Sequence, residues 1–119
     1  MLKKTVLRRK KDFASLYKRG KSYASKYIVV FCRKNNLEYN RVAFLASKKV
    51  GKSVKRNKAR RHMKEVYKIC RNNIVSGYDI IFIARNNIND VEFLELRKTT
   101  IKLLQKMKLL VGEISWRVY

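Results

Sequence analysis

Residues 47–71 read SKKVGKSVKRNKARRHMKEVYKICR, and this stretch decides the architecture. Wound as a helix from Ser53 to Arg71 at about 100° per residue, it gathers Ala59, Met63, Val66 and Cys70 on one side, with Tyr67 at the margin. Asn57, Arg60, Arg61, Lys64, Lys68 and Arg71 gather on the other. Such a helix buries its apolar stripe on a neighbouring layer and leaves the opposite face in water. Lys52, Lys55 and Arg56 lie by angle towards the apolar side, so they are expected to overhang the sheet edge at the helix N-terminus. Ser53 is placed as the N-cap, and Asn72, Asn73, Ser76 and Gly77 end the element.

The flanking segments supply the layer. Upstream, Lys26 to Arg33 reads as a strand whose alternation separates Tyr27, Val29 and Phe31 from Ile28, Val30 and Cys32. The Asn-bearing stretch Lys34 to Asn40 joins it to a second strand, Arg41 to Ser47, which predicts a hairpin. Before them, Lys10 to Arg19 reads as a short helix with Phe13, Leu16 and Tyr17 at i, i+3 and i+4, stopped at Gly20. Downstream, DIIFIAR from Asp79 to Arg85 is a buried strand. A last helix is expected from Asp90 to Leu110, on the period of Phe93, Leu96, Leu103, Met107 and Leu110 and the capping-box spacing of Asn89 and Glu92. The order is α-β-β-α-β-α: an α+β sandwich, helices packed on a small sheet. No repeat, low-complexity linker or proline divides it, so residues 1–119 are expected to form a single domain, with 111–119 set apart as a possible tail.

Charge points to the partner. Hydrophobic residues make up 46% of the 119, enough for a packed core, yet Lys and Arg number 31 against 8 acids, a formal net charge of +23. No fold needs that excess, and self-repulsion opposes compactness. A polyanion is implied, nucleic acid before an anionic membrane. The cations concentrate: Met1 to Lys26 holds ten basic residues and one acid, and Lys48 to Arg71 eleven and one. The longest apolar runs, such as Ile80 to Ala84, are strand-sized, and no apolar leader segment follows the basic start, so neither a membrane span nor a secretory signal is expected. Cys32 and Cys70 fit no zinc spacing and are too few for a disulfide scaffold; both are expected to be buried free thiols of a cytoplasmic protein.

Two binding surfaces follow. Lys48, Lys49, Lys52, Arg56, Asn57, Lys58, Arg60, Arg61, Lys64 and Lys68 are the expected RNA- or DNA-binding set. Cations spaced along a helix face meet successive phosphates and release counterions, and Arg bridges two phosphate oxygens through its planar fork. A merely solvated lysine-rich face is the plain alternative; the near-absence of acids, which ordinary exposed helices mix in, counts against it. Phe13 and Tyr17 on the first helix, with Tyr27, Val29 and Phe31 on the strand, can line a groove in which unpaired bases stack. On the residues alone, reading Phe13 and Tyr17 as core and Tyr27 and Phe31 as strand surface is slightly better.

Catalytic residues are not expected. Asp90, Glu92 and Glu95 form the only close acidic set, and a helix start explains them. His62, the sole histidine, has no orienting acid and reads as an RNA-contact or solvent residue. Ser47 and Ser53 have no visible activating partner, and no metal site is expected on the chain.

SKKVGKSVKRNKARR followed by Glu65 resembles the signature of the bacterial ribonuclease P protein subunit, with Arg56, Asn57 and Lys58 on its Arg-Asn-Arg positions and Arg60 and Arg61 on the next basic pair. Asp12-Phe13, the helix end Tyr17 to Gly20, the strand Tyr27 to Phe31, and Gly77-x-Asp79 leading to Ile83-Ala84-Arg85 extend the resemblance from about Leu7 to Leu110. It implies a ribosomal-protein-S5-domain-2-like fold with a left-handed β-α-β crossover. It also implies a partnership with a catalytic RNA, one protein per RNA, that removes the 5′ leader of precursor tRNA by hydrolysing one phosphodiester. Magnesium is then expected with the RNA subunit and no cofactor on the chain. The basic helix would hold the RNA and the aromatic cleft the leader. Lys58 and Lys64 stand where the family commonly has Arg, Ala43 where Gly is common, and Asn86-Asn87 where a Pro is frequent; residues 111–119 match nothing in it. The alternative is a structural ribosomal-protein-like RNA-binding module. A helix-turn-helix DNA regulator is disfavoured by the strands around the basic helix.

Overall fold

The computed structural model describes residues 4–112. The chain forms α1 (Lys10–Arg19), β1 (Lys21–Ala24), β2 (Ile28–Lys34), β3 (Arg41–Leu45), α2 (Ser53–Cys70), β4 (Tyr78–Ala84) and α3 (Phe93–Lys106), with single 3-10 turns at Arg71–Asn73 and Ile88–Asp90. The α+β layering stands. The order gains one strand, β1.

β4 organises the sheet. Its sequence YDIIFIA is buried without a break from Asp79 to Phe82. A strand apolar on both faces needs cover on both and takes an inner position. The sheet order is β1-β2-β4-β3. β2 pairs antiparallel with β4, Val30 opposite Phe82, and β3 pairs parallel with β4, Ala43 opposite Ile81. The hairpin expected between β2 and β3 is therefore not formed. The two strands do run antiparallel, but β4 lies between them. The Asn-rich connection serves β4 instead: Asn35 N–H donates to Gly77 O at 2.9 Å, Asn40 Nδ2 to Val75 O at 3.0 Å, and Asn40 Oδ1 accepts from Tyr78 N–H at 2.8 Å. β3, α2 and β4 form the parallel crossover.

β1 escapes sequence reading because KSYA is exposed throughout and carries no apolar alternation. It pairs with β2 through a turn in which Ser25 Oγ accepts from the amides of Tyr27 and Ile28. Two caps also differ from expectation. α2 is preceded by Lys52 rather than capped by Ser53, and Asn89 and Glu92 form no capping box, since Asn89 Nδ2 donates to Lys55 O at 3.0 Å. α3 is shorter than the periodicity implies, because Lys108 at φ 59° turns the chain out of the helix. The possible tail lies, from residue 113 onward, outside the described residues.

The core has two parts, one on each face of the sheet. On one face Ile28, Val30, Val42, Ile80 and Phe82 meet Ala59, Met63, Val66 and Cys70 of α2 and Leu96, Leu103 and Leu104 of α3. Cys32 and Cys70 are free and buried here; burial pushes the Cys70 thiol up to about 11, and it donates to Val66 O at 3.3 Å. On the other face the buried hydrophobic residues described are Leu7, Leu16, Ala43 and Ile81, beneath α1 and the segment before it, where Leu7 N–H donates to Val42 O at 3.1 Å.

Gly20 joins α1 to β1 at a close approach. A Cβ there would lie 2.6 Å from Leu16 O and 2.9 Å from Cys32 O, both backbone atoms. Gly20→Ala must push α1 off β2, and a loss of about 1–3 kcal/mol in denaturant unfolding is expected. An unchanged midpoint would show that the junction yields freely.

Candidate nucleic-acid interface

α2 presents its cations as the winding of the sequence dictates. Ala59, Met63, Val66 and Cys70 are buried, while Asn57, Lys58, Arg61, Lys64 and Lys68 are exposed. Asn57, Arg60, Arg61, Lys64, Glu65 and Lys68 line a shallow depression of about 420 Å³ on the outer face. The half-buried Arg60 is steadied by donating through Nη2 to Asn57 Oδ1. Glu65 sits within this row, 3.6 Å from Lys68, and is the only acid on the helix. Lys48, Lys49 and Lys52 extend the surface along the preceding turn, which the buried Val50 anchors and which passes through Gly51 at φ 138°. Of the cations expected to overhang the sheet edge, Lys52 and Lys55 are exposed; Arg56 is half-buried and donates to Ser53 Oγ at 3.2 Å.

His62 is not a free surface residue. Its ring meets Phe93 edge-on, centroids 5.5 Å apart, at the start of α3. Burial lowers its pKa, and Lys58 and Arg61 lower it further. Both effects favour its neutral form.

The second surface is the sheet face that α2 and α3 leave uncovered. Strand register arranges it in rows. Arg33 and Arg41 flank Asp79; Phe31 and Ala43 flank Ile81; Val29 and Leu45 flank Ile83. Phe31, Leu45 and Ile83 are half-buried, as is Phe13 of α1 above them. Tyr17 is 46% exposed, and its ring meets Phe31 at 5.0 Å and 87°. Phe13, Tyr17, Val29 and Phe31 thus share one open face. Tyr27 does not join them. It precedes β2, escapes the strand's alternation, and packs against the opposite core. Leu45 and Ile83 are the members that sequence reading missed. Their strand parity was readable, but which strands lie side by side was not.

Ser53 Oγ accepts from Arg56, Ser47 Oγ accepts from Lys49 N–H at 3.3 Å, and Asp90, Glu92 and Glu95 are exposed around the start of α3. Asp12 and Asp79 are both engaged by Arg41, whose guanidinium is held above its ordinary pKa first by the hydrogen bond to Asp79. Among the described residues no three His, Cys, Asp or Glu side chains gather as metal ligands, and no helix is long and apolar enough to cross a membrane.

Comparison with known proteins agrees with this geometry. The sequence model of the family described as Ribonuclease P matches residues 1–108. A ribonuclease P protein component of Alkaliphilus metalliredigens is 41% identical over 104 residues, 87% of this chain and 94% of that protein. One of Clostridium botulinum is 42% identical over 106 residues, 88% of this chain and 96% of its own length. The solved RNase P protein of Staphylococcus aureus superposes with a TM-score of 0.83 at 31% identity, covering 92% of this chain and all of that one.

Proposed function

The chain belongs to the ribonuclease P protein family, and from that premise we propose that α2 seats the enzyme's catalytic RNA while the open sheet face beside α1 grips the 5′ leader of precursor tRNA. Membership makes it the protein component of an endoribonuclease that matures tRNA 5′ ends, with RNA as its partner; the ribosomal-protein-like alternative falls away. The observation that carries the finer reading is the separation of the two surfaces. α2 covers one face of the sheet and turns its cations outward, whereas the other face keeps a half-buried aromatic and aliphatic patch under a basic helix. One small domain can then hold ribozyme and substrate at once, screening the repulsion between their phosphates.

Phe13, Tyr17, Val29 and Phe31 take the leader in this reading, as unpaired bases stack on exposed rings. The ten residues expected to bind RNA, Lys48 to Lys68, face the ribozyme. Bond breaking belongs to the RNA subunit. Among the described residues Asp12 and Asp79 are engaged with Arg41, and Glu65 with Lys68. Magnesium is assigned to the RNA, with one protein per RNA in the cytoplasm.

The test is the holoenzyme reconstituted with its catalytic RNA. Tyr17→Ala or Phe31→Ala is expected to weaken precursor tRNA by about 1–2 kcal/mol, roughly 5–30-fold, and to leave mature tRNA unchanged. An equal loss for both substrates would return these rings to a purely structural role.

A further inference from the structure

We infer that the ion-pair relay Asp12–Arg41–Asp79 positions α1 over the open sheet face and thereby sets the Tyr17–Phe31 pair against which the leader is held; this rests on the leader reading above. α1 is only ten residues long, too short to persist without tertiary support. Its own packing is thin: Leu16 is its one buried residue and Phe13 is half-buried. Polar tethers add the rest. Asp12 Oδ2 accepts from Arg41 Nη1 at 3.4 Å, and Ser15 Oγ accepts from Arg33 Nη1. Asp12 and Ser15 are three residues apart, on one side of the helix.

The sheet end of the tether is rigid. Arg33, Asp79 and Arg41 form one row across β2, β4 and β3. Arg41 grips Asp79 at two points, Nε to Oδ1 at 2.8 Å and Nη2 to Oδ2 at 2.7 Å. Asp79 Oδ1 also accepts from Asn35 Nδ2 at 3.0 Å. The guanidinium fork leaves Nη1 free for Asp12 while both other edges stay occupied, a division a lysine cannot make. The next row of the sheet holds Phe31, so the tether acts one step from the stacking ring. In a chain with 8 acids against 31 bases, Asp12 is the lone acid among the first 26 residues, and it stands at this contact. Asp12 and Arg41 are positioning residues, acting through Tyr17 and Phe31.

The experiment compares Asp12→Ala, Asp12→Glu and Phe31→Ala in the reconstituted holoenzyme, and follows the Tyr17 ring resonances of the free proteins by NMR. Asp12→Ala is expected to lower the ratio of precursor to mature tRNA affinity about 2–5-fold. It should shift the Tyr17 signals towards those of Phe31→Ala and leave affinity for the catalytic RNA unchanged. Asp12→Glu should restore both readouts. If Phe31→Ala lowers the ratio and Asp12→Ala does not, the relay has no positioning role and the leader reading survives. If Phe31→Ala itself leaves the ratio unchanged, the leader reading fails; unmoved Tyr17 resonances in Asp12→Ala then overturn the relay as well, and shifted ones uphold it as the device that places α1.

Discussion

Replacing Arg60 and Arg61 together by Ala is expected to weaken association with the catalytic RNA about 30–150-fold near physiological salt, from a loss of about 2–3 kcal/mol for two charge-assisted phosphate contacts. The slope of log affinity against log salt should shrink by about 1.8, since each lost phosphate contact removes about 0.9. Both side chains line the outer depression of α2, away from the Met63–Val66–Cys70 stripe, so the fold should be untouched. Arg60 carries a second consequence. It donates to Asn57, so its removal frees that amide from a fixed orientation. An unchanged salt slope would mean that the ridge does not meet phosphates, however tightly the complex still forms.

Phe82→Ala should be the most damaging single change to stability, at about 3–5 kcal/mol. The ring is 1% exposed at the centre of β4. It stacks on Phe44 at 5.3 Å and 17°, and the edge of Tyr67 from α2 stands 6.0 Å away. These three rings join β3, β4 and α2, the three parts of the crossover. Removing the central one leaves a cavity that two strands and a helix cannot jointly close. For a domain near 100 residues, each kcal/mol lowers Tm by about 4–8 °C, so a fall of about 12–40 °C is expected in a thermal melt. A loss below about 1 kcal/mol would show that the crossover is not held through this ring.

Much of the fold was legible because each helix and each inner strand carries its own period. The α2 stripe Ala59, Met63, Val66 and Cys70 is buried as its winding predicts, and α1 spans Lys10 to Arg19 as read. DIIFIAR read as a buried strand, and β4 is buried from Asp79 to Phe82. β1 was invisible because its four residues bury nothing; its place comes from pairing with β2 and from the Ser25 turn. Tyr27 misled for the opposite reason. Alternation predicts a face only while a strand continues, and β2 begins at Ile28.

What the sequence determined by itself is the cationic helix and the apolar stripe that orients it, since side-chain charge and helical period are local properties. The tertiary structure decided which strands are neighbours. β4 lies between β2 and β3, its backbone paired on both edges, with α2 and α3 packed on one of its faces and α1 with Leu7 on the other. That insertion sets Ile83 between Val29 and Leu45, and Asp79 between Arg33 and Arg41, pairings of residues far apart in the chain that no local pattern encodes.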